Sequence, residues 1–139
     1  MEPATFSTHH LVKSEDLNHH GTLYAGRTAE WFVESGFIAV ANYVPPQQIV
    51  CLQIHGMLFT RPIKLGEVVC FESKLILTGR SRMVTHINVM SRGDAVVSGF
   101  ITFINVDAAA NAQPHGIEIT PVTPEDIALA EQARALPRG

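Results

Sequence analysis

Between Asn18 and Val40 the chain reads NHHGTLYAGRTAEWFVESGFIAV, a polar, glycine-punctuated loop running into an almost wholly apolar helix. A helix that is apolar nearly all round cannot lie on a surface and has to be wrapped by other elements. The wrapping is available downstream in four β-rich segments, 49–61, 67–78, 82–91 and 95–106. Runs this long exceed the usual strand of about five or six residues and suit a sheet that curves around something. Pro45-Pro46 ends the helix expected over about 22–43, because proline disfavours helix in the residue before it. Gly56 reads as a bulge or close backbone approach, Pro62 as a strand end, and Gly79 and Gly93-Asp94 as turns. A short strand is expected over 5–13, ahead of the helix. Past Asp107 the text loosens, until Thr123, Pro124 and Asp126 mark the start of a short terminal helix over about 123–136. The layout is α+β: a single domain over 1–139, core about 5–107, with a curved antiparallel β-sheet wrapped around a long central α-helix.

Composition narrows the function classes. A 139-residue chain that is 46% hydrophobic can bury a sizeable core, so disorder is excluded for most of it. A formal charge of -3 argues against a nucleic-acid partner. Arg61, Lys64, Lys74, Arg80, Arg82 and Arg92 nevertheless cluster in sequence and leave room for a basic patch facing a small anion. Cys51 and Cys70 sit in apolar runs and read as two buried free thiols, core rather than nucleophile, in a reducing compartment. No stretch approaches the roughly 18 apolar residues of a spanning helix, and MEPATFSTHH lacks the pattern of a signal peptide. A cytoplasmic protein with no membrane partner is expected.

The carboxylate on the helix carries two readings. Arg27, Glu30 and Glu34 fall within one narrow stripe at helical spacing. In one, the stripe is a solvated seam with Arg27 and Glu30 paired at i,i+3. In the other, Glu34 sits in a cleft at a sheet edge or subunit interface, its pKa raised by apolar neighbours such as Trp31, and acts as general base or nucleophile. Gly21 and Gly26 flank the helix start beside Asn18 and His20. Unpaired N–H groups at a helix N-terminus, reached closely because glycines leave room, polarise an acyl carbonyl and stabilise an oxyanion. His9-His10 and His19-His20 are adjacent pairs and form no i,i+4 chelate, so no metal is expected. His55 and His86 read as ordinary strand histidines, leaving His20 as a secondary site candidate.

NHHGTLYAG, the helix behind it and HGMLFTRPIKLGEVVCFESKLILTGRSRMVTHINV resemble the small bacterial acyl-CoA thioesterases of the hotdog superfamily, over residues 5–107. The resemblance implies hydrolysis of an acyl-CoA thioester by dimers, or by dimers assembled into tetramers or hexamers. It implies that Asn18 positions water or the thioester carbonyl, that backbone N–H groups near Tyr24 to Gly26 form the oxyanion site, and that Glu34 is the base or nucleophile. Two positions depart from the pattern. Val33 stands where many relatives carry aspartate, with Glu34 eight residues after Gly26, and Cys51 stands where relatives often carry threonine. The loop Gly79-Arg80-Ser81-Arg82 reads either as an ordinary solvated hairpin turn or, as the resemblance favours, as a site for the phosphates of coenzyme A. Arg61 either contributes similarly or pairs with Glu67. Coenzyme A enters only as part of the substrate, and no separate cofactor is expected. Competing readings are a dehydratase or hydratase using His20 and Glu34, against which the absence of a His-Phe-Pro-Gly loop weighs, and a non-catalytic acyl-thioester binding module.

Overall fold

The structure is a computed structural model that describes residues 1–137; the last two positions of the expected 1–139 domain lie outside the described residues. Strand β1 (Thr5–Leu11) precedes helix α1 (Ala25–Ala41), which is followed by β2 (Ile49–His55), β3 (Val68–Thr78), β4 (Arg82–Ser91), β5 (Asp94–Asn105) and helix α2 (Pro124–Arg134). The strands form one antiparallel sheet in the order β1-β3-β4-β5-β2. Alternation along the strands divides its faces. Phe71, Met83, Ile87, Ile101 and Phe103 pack with Phe32 and Val40 of α1, while Ile76, Val84 and Phe100 pack with Ala130 and Ala133 of α2. Among the described residues no helix is long and apolar enough to cross a membrane.

The seat of α1 on the sheet is close. A Cβ at Gly36 would meet Ile101, Thr85 and Ile87 side chains at 3.2–3.3 Å, tighter than ordinary contact, so a larger residue here would push those side chains aside. Beside it the Ser35 and Ser73 hydroxyls lie 2.8 Å apart and Ser73 Oγ donates to the Ser35 carbonyl, which satisfies two buried polar groups. Asn42 Nδ2 donates to the Ile38 carbonyl at the last turn, and Pro45-Pro46 follows.

The helix starts at Ala25, three residues later than expected. Leu23 N–H donates to the Ile63 carbonyl and Thr22 bridges to Lys64, so 22–24 is held extended against the neighbouring segment. Strand β2 also stops earlier, at His55. Gly56 turns with φ +72°, and its carbonyl abuts Gly99 of β5 so closely that any side chain at Gly99 would overlap it. From there residues 57–63 leave the sheet.

The cysteines correct the sequence reading: both are free, but Cys51 is exposed and Cys70 half-buried. Cys51 lies on β2, an edge strand whose Val50, Leu52 and Ile54 side chains are exposed.

Helix α2 begins as its sequence implies, with Thr123 Oγ1 accepting from Asp126 N–H at 3.1 Å and Pro124 in the first turn. Asp126 then receives Lys74 Nζ at 2.7 Å. Beside this pair His86 packs on Phe100, ring centroids 4.9 Å apart. Burial first, then Lys74, push the imidazole down to about 4, with Asp126 opposing. An unfolded His86 takes a proton near its ordinary 6.5 while the folded one refuses it until about 4, so stability falls as pH falls through that window. The melting temperature of His86→Leu should be less sensitive to pH between 6.5 and 4 than that of wild type, as thermal unfolding at stepped pH would show.

Candidate functional site

The N-terminal end of α1 opens into a cavity of about 390 Å³. One side is made by Asn18, Thr22, Leu23, Ala25 and Thr28, and the other by Phe59–Ile63, the segment that leaves the sheet at Gly56. Asn18 organises the loop. Its Oδ1 accepts from His20 N–H at 2.9 Å and Thr22 N–H at 3.2 Å, and its Nδ2 donates to Thr22 Oγ1 at 3.2 Å. This is the local turn that an asparagine side chain makes by imitating backbone.

Tyr24 N–H is taken by the Asp16 carbonyl, and the Tyr24 carbonyl accepts from Arg27 and Thr28. The N–H groups of Ala25 and Gly26 have no partner among the described residues. They are the donors that a helix start leaves for water or a ligand. The resemblance implied oxyanion donors near Tyr24 to Gly26; of those three N–H groups, that of Tyr24 is taken by Asp16. The Tyr24 ring, itself exposed, lies over Gly26 and occupies the space a Cβ would need. Asp16, buried at 3% exposure, accepts from Lys13 N–H and faces Arg27 Nε at 3.6 Å, tying the loop to the helix. Arg27 therefore pairs with Asp16 and not with Glu30.

The opposite wall is fixed by a buried carboxylate. Glu67 accepts from Ser91 Oγ at 2.6 Å, Lys64 N–H at 2.6 Å and Arg61 at 3.1 Å. Arg61 also donates to the carbonyls of Pro62 and Ser91 and faces Asp94 at 3.6 Å. Of the two roles open to Arg61, pairing with Glu67 is the one present. Burial raises the Glu67 carboxyl, but Ser91, the Lys64 amide and Arg61 outweigh it and hold it below its usual value.

Other candidates lie elsewhere. Glu34 is not buried against Trp31: its side chain is 55% exposed and lies 3.8 Å from His10 Nε2, and it is His10 that stacks on Trp31. It faces the β1 side, away from the cavity, at an axial level about 13 Å from Ala25 by helical rise. His20 is exposed, its ring 3.9 Å from that of His19. Arg80, Ser81 and Arg82 close the β3–β4 hairpin, the far end of the 11-residue β3, roughly 33 Å from the cavity end. Asp16 and Glu67 were not singled out as site residues from sequence. Asp16 hides in a polar turn, while the Arg61 to Glu67 spacing around Pro62 and Gly66 carried a partial signal. Among the described residues no cluster of metal-ligating side chains is present.

A family model described as "Thioesterase superfamily" matches residues 20–98, more than half of the chain. The uncharacterized acyl-CoA thioester hydrolase YkhA of Bacillus subtilis (strain 168) is 26% identical over 125 residues, covering 85% of this chain and 71% of its own. In fold the chain is similar to a hexameric acyl-CoA thioesterase (TM-score 0.86, 23% identity, 94% of this chain and 86% of that one). It is also similar to the acyl-CoA hydrolase from Staphylococcus aureus solved with butyryl coenzyme A, coenzyme A and coenzyme A disulfide (TM-score 0.83, 19% identity, 94% and 79%). The expected hotdog architecture is the one observed.

Removing the Glu67 carboxylate should loosen the cavity wall. Glu67→Ala leaves Arg61, Ser91 and the Lys64 amide without their acceptor, and should cost about 3 kcal/mol in chemical denaturation. Because the folded carboxyl titrates below its usual 4.5, the stability it supplies is complete above that pH and is lost as pH falls through the folded value. Glu67→Ala should lack that part of the acid sensitivity.

Proposed function

The chain belongs to the thioesterase superfamily, and we propose that it hydrolyses the thioester of acyl-CoA to free acid and coenzyme A. The observation that carries this reading is the pair of unpartnered N–H groups on Ala25 and Gly26 beside the cavity at the start of α1. A thioester carbonyl aimed at them is polarised by two donors and by the positive end of the helix. Water adds to the carbonyl carbon, negative charge collects on the oxygen facing those donors, and the C–S bond then breaks. The proton lost by water passes through the base to the departing thiolate. The names of the B. subtilis and S. aureus relatives support this substrate class.

The base is Glu34 of a second copy, one that presents its β1 side to the cavity, because Glu34 lies beside His10 of β1. Glu34 of the same chain stands two and a half turns along α1 and does not line the cavity. A separate contact between copies fits the opposite edge of the sheet, at β2, where Val50, Leu52 and Ile54 are 45%, 52% and 45% exposed, with Leu58 and Phe59 beyond them. A long apolar edge left open invites pairing. Two-fold, antiparallel pairing of β2 with itself sets the cavity end of one copy level with the hairpin end of the other, which carries Arg80, Ser81 and Arg82. That arrangement gives the hairpin access to coenzyme A phosphates that it lacks within one chain. Asn18, bonded to its own loop, acts by fixing the shape of that loop around the oxyanion donors.

Thiol release from a panel of acyl-CoAs tests this reading. Wild type should hydrolyse members of the panel, and Glu34→Gln should lose about 100-fold in kcat while keeping its fold and oligomeric state. Equal rates in the two proteins would remove Glu34 from the mechanism, and no release by wild type would overturn the function. Co-refolding inactive Glu34→Gln with inactive Asn18→Ala in equal amounts should restore about a quarter of wild-type activity, because a quarter of the shared sites then join an intact Asn18 to an intact Glu34.

A further inference from the structure

Five polar side chains line the cavity at the head of α1: Asn18, Thr22, Thr28, Thr60 and Arg61. Four of them are committed. Asn18 and Thr22 bond each other, Thr60 Oγ1 donates towards the carbonyls of Ala95 and Val96, and Arg61 is held by Glu67 and the carbonyls of Pro62 and Ser91. Thr28 differs. It is 1% exposed and lines the cavity, yet its hydroxyl makes no hydrogen bond among the described residues. Its backbone N–H closes the first helical turn onto the Tyr24 carbonyl at 3.1 Å, so the residue stands one turn behind the unpartnered N–H groups of Ala25 and Gly26.

The Thr28 hydroxyl is not among the fully buried side-chain oxygens that lack a partner, which are those of Thr8 and Asn105, so it keeps access to the cavity that Thr28 lines. A threonine within a helix ordinarily bonds the carbonyl one turn back, and this one does not. Valine has the same shape without the hydroxyl. An open hydrogen-bonding group held at a buried position on the wall of a site is what a ligand completes.

We propose that the Thr28 hydroxyl is a catalytic group of the hydrolysis described above. It donates to the thioester carbonyl oxygen as that oxygen becomes negative, adding a side-chain donor to the two backbone donors. The inference rests on the thioesterase reading. It assigns no covalent step to Thr28, whose proton stays on its own oxygen throughout.

The test compares wild type, Thr28→Val and Thr28→Ser for thiol release from an acyl-CoA that wild type hydrolyses, with melting temperatures measured alongside. Thr28→Val should lower kcat about 100-fold with KM changed little, since a donor to developing charge acts in the transition state. Its melting temperature should change little, because valine keeps the shape of the side chain. Thr28→Ser keeps the hydroxyl and should keep most of kcat. Wild-type kcat in Thr28→Val overturns the assignment, and so does a loss in Thr28→Ser as deep as in Thr28→Val, which would trace the effect to packing. Failure of wild type to release thiol from any acyl-CoA overturns the thioesterase reading and this inference with it. Activity in wild type matched by Thr28→Val overturns the inference alone.

Discussion

Helix α1 lies so near the sheet that a methyl group at Gly36 would press on Ile101, Thr85 and Ile87 at 3.2–3.3 Å. That approach buries Phe32, Ala39 and Val40 completely and leaves the outward stripe of Arg27, Glu30 and Glu34 outside the packed face. It also sets where the helix begins relative to the strands. With the middle of α1 seated on β3 and β4, its first turn comes level with the segment that leaves β2, and the two together make the cavity. The donors at the head of the helix are thus placed by packing at its middle, through apolar contacts that touch no ligand.

The fold was open to reading from the sequence because its signals are periodic and local. The apolar run from Leu23 to Val40, the Pro45-Pro46 stop, Gly79, the Gly93 turn and the Thr123–Asp126 start each act within a few residues, and each stands where the sequence puts it. Boundaries that depend on distant partners were not open in the same way. Thr22 to Tyr24 has helix-like text, but Ile63, Lys64 and Asp16 hold it extended. Residues 57–61 continue the apolar text of β2, yet the turn at Gly56 takes them out of the sheet.

The site was legible in part for the same reason. Asn18 and the helix start are local features, and Asn18 and Ala25 line the same cavity. Burial of Glu34 was not readable, because helical spacing gives a stripe and not the neighbour facing it; His10 and solvent are there. Cys51 was misplaced likewise, since alternation along a strand does not reveal that the strand is an edge. Glu67 and Thr28 escaped notice because the same letters are found on any solvated strand end or helix. Only the partners around Glu67 and the want of one at Thr28 distinguish them.

The contact between Gly56 and Gly99 has a consequence for how such a site can change over generations. The cavity wall departs from the sheet at a point where backbone meets backbone, so no side chain of β5 sets the angle of departure. Mutational drift is closed at that hinge point and open just past it. Met57, Leu58 and Phe59 follow the turn, and Leu58 and Phe59 stand 75% and 44% exposed in a single chain. Substitutions at Leu58 and Phe59 can reshape the cavity mouth with little effect on the strands or on the close seat of α1. The molecule separates a part that resists change from a part that tolerates it, which is the arrangement by which one scaffold comes to accept different substrates.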